Sequence, residues 1–130
     1  MLDTNICIYV MKYKPEAAVR SFLTHDPNDI CVSSITYAEL MHGVEKSSAR
    51  EKNRLALSLF LSSVAVLDFD SRAAESYGEL RADLERKGTP IGPMDMLIAG
   101  HAKSQGLILV TNNTREFERV DALPLEDWSK

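Results

Sequence analysis

Apolar residues along this chain fall into two patterns. Some come as short unbroken runs, and others recur every three or four positions. Runs of this kind predict strands, and the longer spacing predicts amphipathic helices. Met1-Leu2 reads as the tail of a strand ending at Asp3. Thr4 to Met11 and Glu16 to Leu23 read as short helices, with Pro15 placed to start the second. Ile30 to Ser33 is rich in β-branched residues and predicts a strand, after which Ser34 is expected to cap a helix from Ile35 to about Lys46. Arg50 to Ser62 predicts an amphipathic helix whose Leu55, Leu57, Leu59, Phe60 and Leu61 exceed one narrow apolar stripe. Val64 to Phe69 is a strand candidate. A long helix begins at Ser71, places Ala74, Tyr77, Leu80 and Leu84 on one face, and stops at Gly88. Pro93 opens another helix that ends before Gly106. Leu107 to Val110 is a fourth strand, and Leu123 to Leu125 a short fifth.

Strands alternating with helices predict an α/β fold with a mostly parallel sheet. Leu107 to Val110 is apolar without alternation, as expected of a strand covered on both faces. The 130 residues are expected to form one domain, 1–130, with no repeat or linker. The longest apolar run, Ile6 to Met11, is far short of the ~18 residues of a membrane span. No basic leader with a cleavage site is visible, so a cytoplasmic protein is expected. Cys7 and Cys31 have apolar neighbours and predict reduced, packed thiols. Acids outnumber bases 19 to 15, for a net charge of −4. A nucleic-acid partner therefore needs a local basic surface or intervening cations, not bulk positive charge.

In open α/β sheets, ligands sit beyond the carboxyl ends of the strands. The candidate chemistry falls there. Asp3 follows the first strand, and Thr111-Asn112-Asn113 follows Leu107 to Val110, with Glu116 three residues on. Asp95 lies in the first turn of the helix opened by Pro93. Glu39 lies one turn into the helix capped by Ser34, among uncharged neighbours. Each acid has an ordinary explanation. Asp3 can cap a helix, Asp95 can complement a helix dipole, Glu116 can be solvated, and Glu39 can pair with Lys46. Their joint placement argues for more. Two carboxylates ~4 Å apart repel by roughly 4 kcal/mol at an effective dielectric near 20, so a convergent set needs protons or cations. Oxygen-only donors favour Mg²⁺ or Mn²⁺ over zinc. His25, His42 and His101 have no zinc spacing, Gly88 to Gly92 lacks the Lys-Ser/Thr of a phosphate loop, and no nucleophile motif occurs. Tyr9, Tyr37, Tyr77 and Phe60 are expected in the core.

Several blocks together resemble the PIN-domain ribonucleases, in particular the VapC toxins of bacterial toxin–antitoxin pairs. They are Leu2-Asp3-Thr4-Asn5, Ser34 to Leu40, Gly88 to Asp95, Ile98 to Ala102 and Leu109 to Phe117. They stand in the family's order across essentially the whole chain. The resemblance implies a three-layer α/β/α sandwich with a central parallel sheet and an acidic cluster binding Mg²⁺ or Mn²⁺. Asp3, Glu39 and Asp95 match the three core acids, and Glu116 matches the fourth. Thr4, Asn5, Thr111 and Asn113 match polar positions around them. Two departures stand out. Only Met1 and Leu2 precede Asp3, and Asn113 stands where many relatives carry aspartate.

The activity so implied is endoribonuclease hydrolysis. Asp3 and Asp95 act as the principal metal ligands, with Glu39 as a further ligand or the holder of a metal-bound water. Glu116 and Asn113 lie at the outer part of the site or serve a second ion. Water attacks phosphorus in line, leaving 5′-phosphate and 3′-hydroxyl ends. Lys12, Lys14, Lys46, Arg50, Arg86, Lys87 and Arg115 are candidates for a basic rim. Also implied are a VapB-type antitoxin that blocks the site, operator DNA bound through that antitoxin, and a homodimer. The run Asn112 to Phe117 looks like that of toxins that cut initiator tRNA in its anticodon stem-loop. Two rival readings are a non-catalytic RNA- or protein-binding module of the same fold and a phospho-acceptor receiver domain. Against the module stands the cost of clustering four acids with no turnover to offset it. Against the receiver stands Asp3 without an acidic neighbour, and Thr111-Asn112-Asn113 without a lysine.

Overall fold

Leu2 is the hinge of the architecture. In the computed structural model, which describes residues 1–130, it bridges Val32 on one side and Val110 on the other, both in parallel. Val32 belongs to β1 (Cys31–Ser33), which pairs in parallel with β2 (Ala65–Leu67). Val110 belongs to β3 (Leu109–Val110), which pairs in parallel with β4 (Leu125–Glu126). The order across the sheet is therefore β2, β1, Leu2, β3, β4. The chain builds outward from Leu2 on one side, then crosses back and builds outward on the other. That reversal puts the crevice where α/β sheets bind ligands directly beyond Leu2.

The strands are shorter than the apolar runs suggest. Ile30 and Leu107–Ile108 lie outside the ladders, and the last strand sits one or two residues later than expected. Helices cover both faces. α1 (Thr4–Lys12), α2 (Glu16–Thr24), α3 (Ser34–Glu45) and α4 (Arg50–Leu61) are followed by α5 (Ser71–Lys87), α6 (Pro93–Ser104) and a one-turn α7 (Thr114–Phe117). Successive strand residues point to opposite faces, so Leu2 and Val110 enter one core with Ile6, Val32, Leu40, Val44, Leu57 and Phe60. Met1 and Leu109 enter the other with Leu80, Leu84, Met96, Ile98 and Phe117. Two cores on the two faces of one sheet make the expected three-layer sandwich.

Local chemistry sets the helix ends. Asp70 Oδ1 accepts from Ala73 N at 3.0 Å to start α5, and Gly88, at φ +70°, ends it in a left-handed turn that favours glycine. The cap of α3 is Ser33, whose Oγ accepts from Ile35 N at 3.0 Å. Ser34, expected in that role, is the first helical residue, and its Oγ accepts instead from Phe69 N beyond β2. Gly100 lets α6 lie against α5, because a Cβ there would stand 2.8 Å from Tyr77 Cα. Both cysteines are free thiols, Cys7 buried and Cys31 half-buried. Tyr37 is exposed rather than in the core. On α4, Leu57 and Phe60 are buried while Leu55 and Leu59 are more than 60% exposed, so its apolar surface does exceed one face. No helix is long and apolar enough to cross a membrane.

Candidate active site

The acids arrive at the carboxyl end of the sheet from four separate elements. Asp3 follows Leu2 and caps α1, its Oδ1 accepting from Ile6 N at 3.0 Å. Its backbone N donates to Val110 O at 2.9 Å, and Leu2 N donates to Cys31 O at 2.9 Å, so both neighbouring strands fix its position. It is only 4% exposed. Glu39 sits half-buried in the second turn of α3, Asp95 half-buried in the first turn of α6, and Glu116 half-buried in α7.

They lie close enough for charge to act between them, Glu39 on Asp3 and Asp95, Asp95 on Asp3, and Glu116 on Asp95. Burial pushes the Asp3 carboxyl up from 3.8 to about 6, against the pull of the Thr111 side chain and Ile6 N–H, and the charges of Asp95 and Glu39 push it further. Burial also raises Asp95, and the charges of Glu116 and Glu39 add to it. No lysine or arginine relieves this repulsion, because every ion pair of the chain uses other acids. Glu39 in particular does not pair with Lys46. No three carboxylates close into a ready-made cage. They are coupled by their fields and not by contact.

The polar residues support the acids unequally. Thr4 Oγ1 lies 2.6 Å from Glu39 Oε1 and 3.3 Å from Thr36 Oγ1. Its single proton goes to the carboxylate, so Thr36 donates to Thr4 in turn. Thr111 is fully buried, and its Oγ1 accepts from Asn113 N at 2.9 Å. Asn5 Nδ2 approaches Asn112 Oδ1 at 3.4 Å, and Asn112 Nδ2 donates to Tyr9 OH at 3.2 Å. Asn112 thus joins the first turn of α1 to the segment after β3. The Asn113 side chain makes no capping bond to α7. Thr36, Asn112 and Gly92 were given no role of their own from the sequence. A signal existed for Thr36, which stands one turn before Glu39. Gly92 matters because a Cβ there would lie 3.3 Å from Asp95 Oδ2. Of the expected basic rim, Lys87 is already occupied, bound to Asp83 and Asp121 at 2.9 Å each.

This donor set fits a hard divalent cation. Every available group is an oxygen. Cys7 is near enough to feel Asp3, but burial, with that charge added, holds its thiol well above the usual range, so it stays protonated. Mg²⁺ keeps several waters and needs only one or two carboxylates, so a ready-made cage is unnecessary.

An acid cluster at the switch point of a parallel α/β/α sandwich defines a class of metal-using phosphodiester enzymes, and similarity to known proteins gives the family. Residues 1–123 match the PIN domain, and the chain belongs to that family, within its VapC branch. A tRNA(fMet)-specific endonuclease VapC from Shigella flexneri is 54% identical over 99% of this chain and 97% of its own. The crystal structure of DNA-bound VapBC from Salmonella typhimurium superposes with a TM-score of 0.93 at 52% identity, covering 98% of this chain and 96% of the other. VapBC2 from Rickettsia felis, bound to a DNA fragment from its promoter, gives 0.93 at 44% identity over 98% and 97%. PIN-domain ribonucleases generally depend on divalent metal ions.

Proposed function

We propose that residues 1–130 form one catalytic domain, an endoribonuclease toxin that uses Mg²⁺ or Mn²⁺ and cuts initiator tRNA. The observation that carries this reading is the gathering of the carboxylates Asp3, Glu39, Asp95 and Glu116 at one end of the sheet with no lysine or arginine paired to them to offset their repulsion. A binding module has no use for such repulsion, whereas a cation-dependent site does. Asp3 and Asp95 would hold the ion. Bound there, it would supply Lewis acidity and a water acidified toward neutral pH. Glu39, oriented by the Thr4 hydroxyl, is set to hold that water and take its proton. Asp3 is less free to do so, since Ile6 N–H and Thr111 engage its carboxylate. Glu116 and Asn113 stand at the outer edge, toward the substrate. Water oxygen bonds to phosphorus, the bond to the 3′ oxygen breaks, and that oxygen takes a proton, leaving 5′-phosphate and 3′-hydroxyl ends.

The partner we propose is a VapB-type antitoxin, which would carry the complex to operator DNA as in the Salmonella and Rickettsia assemblies. Its docking face would be the apolar cleft of about 310 Å³ lined by Val10, Phe22, Leu59 and Phe60, beside exposed Tyr13 and Leu23. A homodimer in the cytoplasm completes the proposal. The test is incubation of purified protein with tRNA and Mg²⁺, with and without EDTA, beside Asp95→Asn. Cleavage that needs metal and is lost in the variant supports the nuclease. Tight RNA binding with no cut in any metal overturns it.

A further inference from the structure

Glu39 is also part of the wall of a cavity. This cavity, about 480 Å³, lies between α1, α3 and α4 and runs away from the acid cluster. Its size falls within the roughly 300–1,000 Å³ of small-ligand clefts. The walls are of three kinds. Ile8, Met11 and Ala56 form the accessible apolar side over buried Leu40, Val44 and Leu57, and Asn53 and Ser47 form a polar one. Lys12 and Lys52 are exposed at it.

Three features leave it open to a polyanionic occupant. Lys12 and Lys52 form no ion pair, although acids outnumber bases in this chain. Asn53 spends its Nδ2 on Ser47 Oγ at 2.9 Å, which aligns the amide and leaves Oδ1 with no protein donor. Gly43 lies within α3, where glycine costs about 1 kcal/mol relative to alanine. Nothing lies within 4 Å of where its Cβ would be, so packing does not require glycine there. What a side chain at 43 would enter is the cavity.

We propose that this cavity receives one unstacked nucleotide of the RNA, next to the phosphate cut at the acid cluster. The base lies against Ile8 and Met11, with a base N–H able to donate to Asn53 Oδ1. Lys12 and Lys52 take the flanking phosphates, and bare Gly43 leaves room for the ring. Charge complementarity favours RNA as the occupant: two free ammonium groups beside a carboxylate cluster suit a polyanion whose cut phosphate sits on a cation. It also explains how a chain of net charge −4 holds its substrate. Single-stranded loops present bases in this way, whereas duplex stems do not. The inference rests on the endoribonuclease reading and adds where the substrate binds and that it must be unpaired there.

The test is steady-state cleavage of an initiator tRNA transcript by the parent chain, the double variant Lys12→Ala/Lys52→Ala, and Gly43→Leu. Unfolding curves and affinity for the cognate antitoxin are measured on each. The double variant is expected to raise KM at least about tenfold with kcat changed little, and to lower the slope of log KM against log salt by roughly 1.4, two single-strand phosphate contacts. Gly43→Leu is expected to raise KM with its salt slope intact and no loss of fold stability. If the parent cuts and both variants cut with unchanged KM, the cavity assignment is wrong and the nuclease reading stands. Weakened antitoxin binding at unchanged KM gives the cavity to the antitoxin and also overturns the assignment. A parent that cuts no tRNA removes both readings.

Discussion

Replacing Asp3 by asparagine should stabilise this protein, although the residue is buried and central. The Asp3 carboxyl is raised from 3.8 to about 6. Two units at 1.36 kcal/mol each amount to about 3 kcal/mol by which the ionised form is disfavoured in the fold. The folded pKa lies above the unfolded one. The penalty is therefore absent below about pH 4, grows as pH rises through 6, and is complete above it. Asparagine keeps the side-chain oxygen that caps α1 at Ile6 N, and it is as good a cap as aspartate. In EDTA, urea unfolding followed by circular dichroism should show Asp3→Asn more stable than the parent by up to about 3 kcal/mol at pH 7.5, with the gap closing between pH 6 and pH 4. The other buried titrating group, His101, is lowered chiefly by burial and destabilises both proteins alike as pH falls, so it cancels in the difference. Millimolar Mg²⁺ should raise the melting temperature of the parent and leave the variant unmoved, since an ion that binds only the folded state stabilises it. A variant less stable than the parent at pH 7.5, or a gap independent of pH, would refute the electrostatic account and make Asp3 an ordinary structural cap.

Asp95→Asn should fold at least as stably as the parent in EDTA and lose cleavage by more than about a hundredfold, read as 5′-phosphate product from initiator tRNA. Thr4→Val takes from Glu39 its 2.6 Å donor, so cleavage should fall about ten- to a hundredfold, the worth of a hydrogen bond to a charged group, while Thr4→Ser retains it. Gly100→Ala should cost about 1–3 kcal/mol in urea unfolding, because the new methyl meets the Tyr77 backbone, which cannot rotate away. An unchanged midpoint would show that α5 and α6 can slide apart freely.

The helices were legible because their apolar faces repeat over several turns and end at residues with one obvious use, such as Gly88 and Pro93. The strands were harder. A ladder ends where its neighbour ends, so Ile30 and Leu107 read as strand by composition yet lie outside it. Ser33 and Ser34 are equally good caps in sequence, and only the bend of the chain after β1 decides between them. The one-turn α7 has too few residues to show a period. Asp3 stands out by its place after a strand, and Glu39 and Asp95 by their places early in helices, but what brings these segments to one end of the sheet is not visible in the sequence, because it depends on Leu2 lying between β1 and β3. Thr36 and Asn112 were missed because their roles lie in bonds to residues far away in the chain. Lys52 was missed because nothing in its own segment separates it from Lys46 or Arg50.

The middle of this sheet is a single residue near the amino end, held by partners translated much later. Asp3 N waits for Val110 O, and Val110 N for Met1 O. On the ribosome, β1 and the α1 cap can hold the Asp3 segment early, but its other flank stays open until the segment around Val110 has emerged. The sheet around Asp3 is therefore complete only when synthesis is nearly finished. For a toxin this brings completion of the sheet close to the moment when a finished molecule can meet its neutralising partner.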